Sequence, residues 1–132
     1  MELEDKLELE YVVLPKDLAS QLPIDEHDEF PDVFATSRMI AIMELAAARL
    51  MKPELGHGEL SVGVNVNVNH IAPTPRDETV KVLATYKGLE KKLYQFDIEV
   101  HDPGGVVGSG THTRAIVKTE RLIEGALSRV KT

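Results

Sequence analysis

The stretch Thr36–Met51, TSRMIAIMELAAARLM, decides the fold. It is rich in good helix formers and apolar nearly all round, the pattern of a helix enclosed by a core. One residue breaks the pattern. Glu44 has Ile40 and Ala41 one turn before it and Ala47 and Ala48 one turn after, so all its i±3 and i±4 neighbours are apolar. A carboxylate buried without a partner is costly. Either Glu44 escapes to solvent or it is held inside for chemistry. Thr36 or Ser37 can cap the helix start, Arg49 and Lys52 suit the negative end of the dipole, and Pro53 ends the helix.

Upstream, Leu7, Leu9, Tyr11 and Val13 alternate and predict a strand over 7–13. Residues 15–35 then read as a lid-like loop, with Pro15, Pro23 and Pro31, an acidic run from Asp25 to Glu29, and a turn of helix near Lys16–Gln21. Phe30 and Phe34 close that loop. They either staple the helix entry to the core or roof a pocket.

Downstream, GELSVGVNVNVNHIAP (58–73) is the cleanest alternation in the chain. Leu60, Val62, Val64, Val66, Val68 and His70 share one face, so His70 should point where the valines point. A bulge at Gly63 would swap the faces before it but not between Val64 and His70. Strands follow over 79–87, 92–100 and 106–118. GLEK (88–91) and HDPGG (101–105) are read as the tight turns between them. Leu122, Ile123, Ala126, Leu127 and Val130 suggest an amphipathic helix in the C-terminal tail, 119–132.

One strand, a loop, a buried helix and four strands joined by short turns predict an α+β domain spanning 1–132. Its antiparallel sheet curls around one long central helix, the hot-dog arrangement. Such a sheet leaves helix surface and strand edges uncovered, and a homodimer or higher assembly would cover both.

Composition narrows the function. A net charge of −7, 5% aromatic residues and no basic cluster argue against a nucleic-acid partner. No apolar run is long enough for a membrane span. Without cysteine there is no disulfide, thiolate metal site or cysteine nucleophile, which fits a cytoplasmic protein. The five histidines show no HxxxH or HExxH spacing, and His101 and His112, flanking a turn-containing segment, are read as surface residues.

Three polar residues remain on core-directed or helix-end positions: Thr36, Glu44 and His70. A Glu44–His70 pair would give each a partner and tune both for acid–base work. The segments FPDVFATSRMIAIMELAAARLM (30–51), GELSVGVNVNVNHIAPTP (58–75) and HDPGGVVGSGTHTRAIV (101–117) resemble the fluoroacetyl-CoA thioesterase-like branch of the hot-dog thioesterases. The resemblance implies hydrolysis of an acyl-CoA with Thr36, Glu44 and His70 as catalytic residues. It also implies substrate contacts from Gly63 and Arg114 and an aromatic lid at Phe30. Phe34 is a further candidate substrate contact. The loop 15–29 departs from the family in being acidic and lacking a second Phe, which bears on fluoroacetyl specificity rather than on thioester hydrolysis.

The expected mechanism places Thr36 and helix N-terminal amides on the thioester carbonyl. Glu44 acts as nucleophile or general base, and His70 orients water and relays a proton. No metal or redox cofactor is needed, since coenzyme A is part of the substrate. The alternatives are a hot-dog hydratase or dehydratase acting on an acyl thioester, and a non-catalytic module that binds acyl-CoA or a small acid.

Overall fold

The expected helix forms as α1, Thr36–Met51. Met39, Ile42, Met43, Ala46, Ala47 and Met51 are its buried face. The computed structural model describes residues 1–131. Five strands surround the helix: β1 (Lys6–Val12), β2 (Glu59–His70), β3 (Thr79–Glu90), β4 (Leu93–Asp102) and β5 (Gly105–Lys118). They make one antiparallel sheet in the order β1-β3-β4-β5-β2. Val80, Val82, Ala84 and Tyr86 of β3 and Phe96, Ile98 and Val100 of β4 turn inward and meet α1 in the main core. This is the expected hot-dog arrangement. A helix α2 (Thr119–Val130) follows β5, as the tail pattern suggested, and Thr132 lies outside the described residues. Among the described residues no helix is long and apolar enough to cross a membrane.

α1 lies mainly over β3 and β1, so the β2 side of the sheet is thinly covered. Val66 is paired with the inward His112, yet it stays 39% exposed. β1 and β2 are the two edges. β1 carries Lys6, Glu8 and Glu10, which discourage further pairing. β2 has no charged residue between Leu60 and Asn69.

Several expectations change. The register of β2 against β5 shifts between Gly63 and Asn65. The bulge turns Ser61 and Gly63 inward, opposite Ile116 and Arg114, and sends Leu60 and Val62 outward, whereas Val66, Val68 and His70 keep the inner face. The GLEK turn is displaced. β3 runs on to Glu90 through a register shift at Gly88, and Lys91 and Lys92 make the turn with φ of 50° and 68°. Neither Thr36 nor Ser37 caps α1. The N-cap is Ala35, and no side chain caps it.

The loop before α1 is ordered by two short 3-10 turns, Pro15–Asp17 and Ala19–Gln21. Asp17 is fully buried there. Its carboxylate accepts hydrogen bonds from the Tyr11 hydroxyl (2.5 Å), the Leu14 amide (2.8 Å) and Arg38 Nε (2.8 Å). Its backbone carbonyl accepts the Ala35 amide at 2.9 Å, which ties the loop to the helix start. Burial works to raise the Asp17 pKa, but the Tyr11, Leu14 and Arg38 contacts outweigh it and hold the carboxyl below its ordinary value.

Candidate active site

The candidate residues form two groups on different parts of the chain. At the N-terminus of α1, Thr36 Oγ1 lies 2.8 Å from His70 Nδ1. Thr36 is the first helical residue, one past the Ala35 N-cap, and its hydroxyl pairs with the histidine rather than with its own helix. Phe34, 1% exposed, meets the His70 ring edge-on with centroids 6.4 Å apart. Phe34 therefore staples the helix entry to the core and also lines a cavity of about 380 Å³ beside Thr36 and His70, with Ala19, Val33 and Ala72 among its walls. Phe30 is 53% exposed and is not among the residues that line this cavity. Burial lowers the His70 pKa below the usual imidazole value. The Ala72 backbone offsets part of this without reaching hydrogen-bond geometry, so His70 Nε2 is buried and unpartnered. The result is a neutral imidazole near pH 7 with one nitrogen free to take up or deliver a proton.

The second group surrounds Glu44. Its partner is Arg114, not His70: Arg114 Nη1 donates to Glu44 Oε2 at 2.9 Å. The expected Glu44–His70 pair is not formed within the chain. Eight residues of helix separate Thr36 from Glu44, about 12 Å along the axis, and seven residues of strand separate Gly63 from His70, roughly 23 Å. Glu44 thus has a partner from a strand 70 residues away, beyond the range of helical neighbours. Its side chain is 39% exposed, half-open to solvent where β2 leaves α1 uncovered.

Arg114 is nearly buried and strongly constrained. Nε donates to Ser61 Oγ at 3.0 Å, Nη2 to the Ser61 carbonyl at 3.0 Å, and Nη1 also meets His112 Nε2 at 3.2 Å. The bulge makes this network, because it turns Ser61 toward Arg114 and Gly63 toward Glu44. A Cβ at Gly63 would fall inside contact distance of Glu44 Oε2. The glycine is what permits the carboxylate to lie against the strand.

His112 is 1% exposed, which corrects its reading as a surface residue. It stands two positions from Arg114 on β5, so strand parity alone places both on one face. Ser61 was hidden because the bulge reverses its parity. His101 is a partly exposed histidine hydrogen-bonded to Glu99. Among the described residues no group of three or more His, Asp or Glu side chains could hold a metal ion.

Residues 14–120 match the family described as fluoroacetyl-CoA-specific thioesterase. A fluoroacetyl-CoA thioesterase of Streptantibioticus cattleyicolor is 41% identical over 97 residues, 74% of this chain and 70% of that protein. A solved structure of the fluoroacetyl-CoA thioesterase FlK superposes with a TM-score of 0.91 at 36% identity, covering all of this chain and 98% of the other. A Thermus thermophilus member of the thioesterase superfamily superposes with a TM-score of 0.84 at 25% identity, over 98% of this chain and 92% of its own.

Proposed function

Because the chain belongs to the fluoroacetyl-CoA-specific thioesterase family, we propose that it is an acyl-CoA thioesterase that hydrolyses a short acyl-CoA to free acid and CoA. The observation that carries the reading is the Thr36–His70 hydrogen bond at the start of α1, beside an apolar cavity. Thr36 and the first amides of α1 polarise the thioester carbonyl, where the helix dipole favours developing negative charge. The unpartnered Nε2 of His70 relays the proton. Glu44, as nucleophile or general base, supplies the attack.

Within one chain Glu44 is too far from Thr36 and His70 to share a substrate with them, and the free edge of β2 supplies the remedy. Antiparallel pairing of two β2 strands about an axis at Asn67, which then faces its own copy, sets Gly63 of one protomer opposite the partner's His70 once the extra residue of the bulge is discounted. Glu44, which lies against Gly63, then faces the Thr36–His70 pair across the interface. The same pairing satisfies the uncharged edge and covers Val66. The functional unit is therefore a homodimer with two sites, each built from both protomers. Gly63 and Arg114 hold Glu44 beside the acyl group, and Phe30 is free to close over it.

The test is thiol release from a panel of acyl-CoAs by wild type, Thr36→Ala, Glu44→Gln and His70→Ala. The reading expects free CoA from wild type and large losses in all three variants. Hydrated or dehydrated thioester without free thiol would favour the hydratase reading. Binding without turnover would favour a sequestering module.

A further inference from the structure

We propose that His112 is a positioning residue for this hydrolysis: as the neutral Nδ1–H tautomer it ties the bulge of β2 to the guanidinium that holds Glu44, and a second proton on its ring undoes that hold. The proposal rests on the thioesterase reading for its kinetic consequence, but its geometry stands independently.

Two contacts fix the tautomer. Arg114 Nη1 can only donate and lies 3.2 Å from His112 Nε2, so Nε2 must accept. The ring proton is then on Nδ1, which lies 2.8 Å from the Asn65 carbonyl and donates to it. Asn65 is the first residue after the register shift, so the imidazole anchors the segment that turns Gly63 toward Glu44. Phe96, 1% exposed, lies beside the ring with centroids 6.5 Å apart and restricts its tilt. The ring therefore has one donor and one acceptor, and both are used.

The groups facing His112 come from every element packed on it: Arg114 on its own strand, the Asn65 carbonyl of β2, the Phe96 ring of β4, and Glu44 of α1 through Arg114. Burial and then the Arg114 charge oppose protonation. The Asn65 contact and Glu44 favour it, and the net effect lowers the pKa below the usual imidazole value. A proton on Nε2 would aim an N–H at a cation's N–H. The guanidinium would have to withdraw, carrying its Glu44 contact with it. Neutral His112 is thus a condition for Glu44 being in place, separate from the proton relay at His70.

The experiment combines ring-nitrogen NMR of the wild-type protein with kinetics of two variants. At pH 7 the His112 signals should report a protonated Nδ1 and a lone pair on Nε2. His112→Leu, which keeps bulk but removes the acceptor, should lower kcat about ten- to a hundredfold with KM within about twofold, the signature of a misplaced reacting group. His112→Gln can present an amide oxygen near the Nε2 position without titrating. It should recover part of the lost kcat, and the acid limb of log kcat against pH should lose one proton's slope relative to wild type. An Nε2–H or charged ring at pH 7 would overturn the proposal. So would a folded Leu variant with wild-type kcat, or a Gln variant no better than Leu. Should the Leu variant not fold, the NMR signals and the slope of the Gln profile decide. A wild-type protein that releases thiol from no acyl-CoA would remove the thioesterase reading alone, leaving the tautomer to be judged by NMR.

Discussion

Gly63→Ala separates the site from the fold. The new methyl would sit 3.3 Å from Glu44 Cδ and 3.3 Å from His112 Cε1, and inside contact distance of Glu44 Oε2. Gly63 has no left-handed φ, so alanine brings no backbone strain. The obstructing oxygen is the end of a flexible, half-open side chain, so its retreat costs little, and the stability change should stay below about 1 kcal/mol. The retreat itself is on the order of 1 Å, the distance needed to restore van der Waals separation. That is enough to disturb the 2.9 Å contact with Arg114 and to move the carboxylate from its reacting position. A misplacement of that size costs about a hundredfold in rate, or roughly 2.7 kcal/mol of barrier. Thiol release at saturating acyl-CoA should therefore fall about a hundredfold while the urea midpoint barely moves. Wild-type kcat in the variant would refute the reasoning about Glu44 placement. Loss of stability in step with activity would show that Gly63 serves the strand rather than the site.

Asp17→Ala removes a buried carboxylate with three donors aimed at it and should cost about 3–5 kcal/mol by urea unfolding, with Asp17→Asn costing less. The same carboxyl, depressed in the fold, contributes stability that is present above its unfolded pKa and lost as pH falls through the folded value, which acid titration of the urea midpoint can follow. Burial lowers the His70 pKa below 6.5, so the acid limb of kcat/KM should lie below that pH, and its stability contribution, present above 6.5, should be lost as pH falls through the folded value. Replacing Lys91-Lys92 with Asn-Gly fits the left-handed turn better and should raise stability by about 1 kcal/mol in thermal or urea melts.

What was legible in the sequence was whatever short-range pattern records. The apolar ring around Glu44, the alternation of 60–70 and the turn at HDPGG gave a buried helix, a long strand and an antiparallel order. The inward direction of His70 survived because the bulge lies before it. What pattern could not record was long-range. Arg114 reaches Glu44 from the last strand, across 70 residues, and no periodicity names that partner. The bulge that turns Ser61 and Gly63 inward lies inside an unbroken alternation, so parity misassigned the residues before it. His112 is legible from its spacing to Arg114, since strand parity puts both on one face of β5. Lys91 and Lys92 carry no turn signature, and the glycine beside them marks a shift in register rather than the corner.

The shared site is tested most directly by mixing two inactive proteins. Glu44→Gln and His70→Ala homodimers each lack one member of both sites. In a mixed dimer with sites built across the interface, one site receives both lesions and the other receives none. After subunit exchange, about half the dimers are mixed, so thiol release should recover to about a quarter of wild type. If Glu44 and His70 serve the same site from one protomer, every site keeps a lesion. Activity that stays at the level of the separate variants after verified exchange would contradict the account.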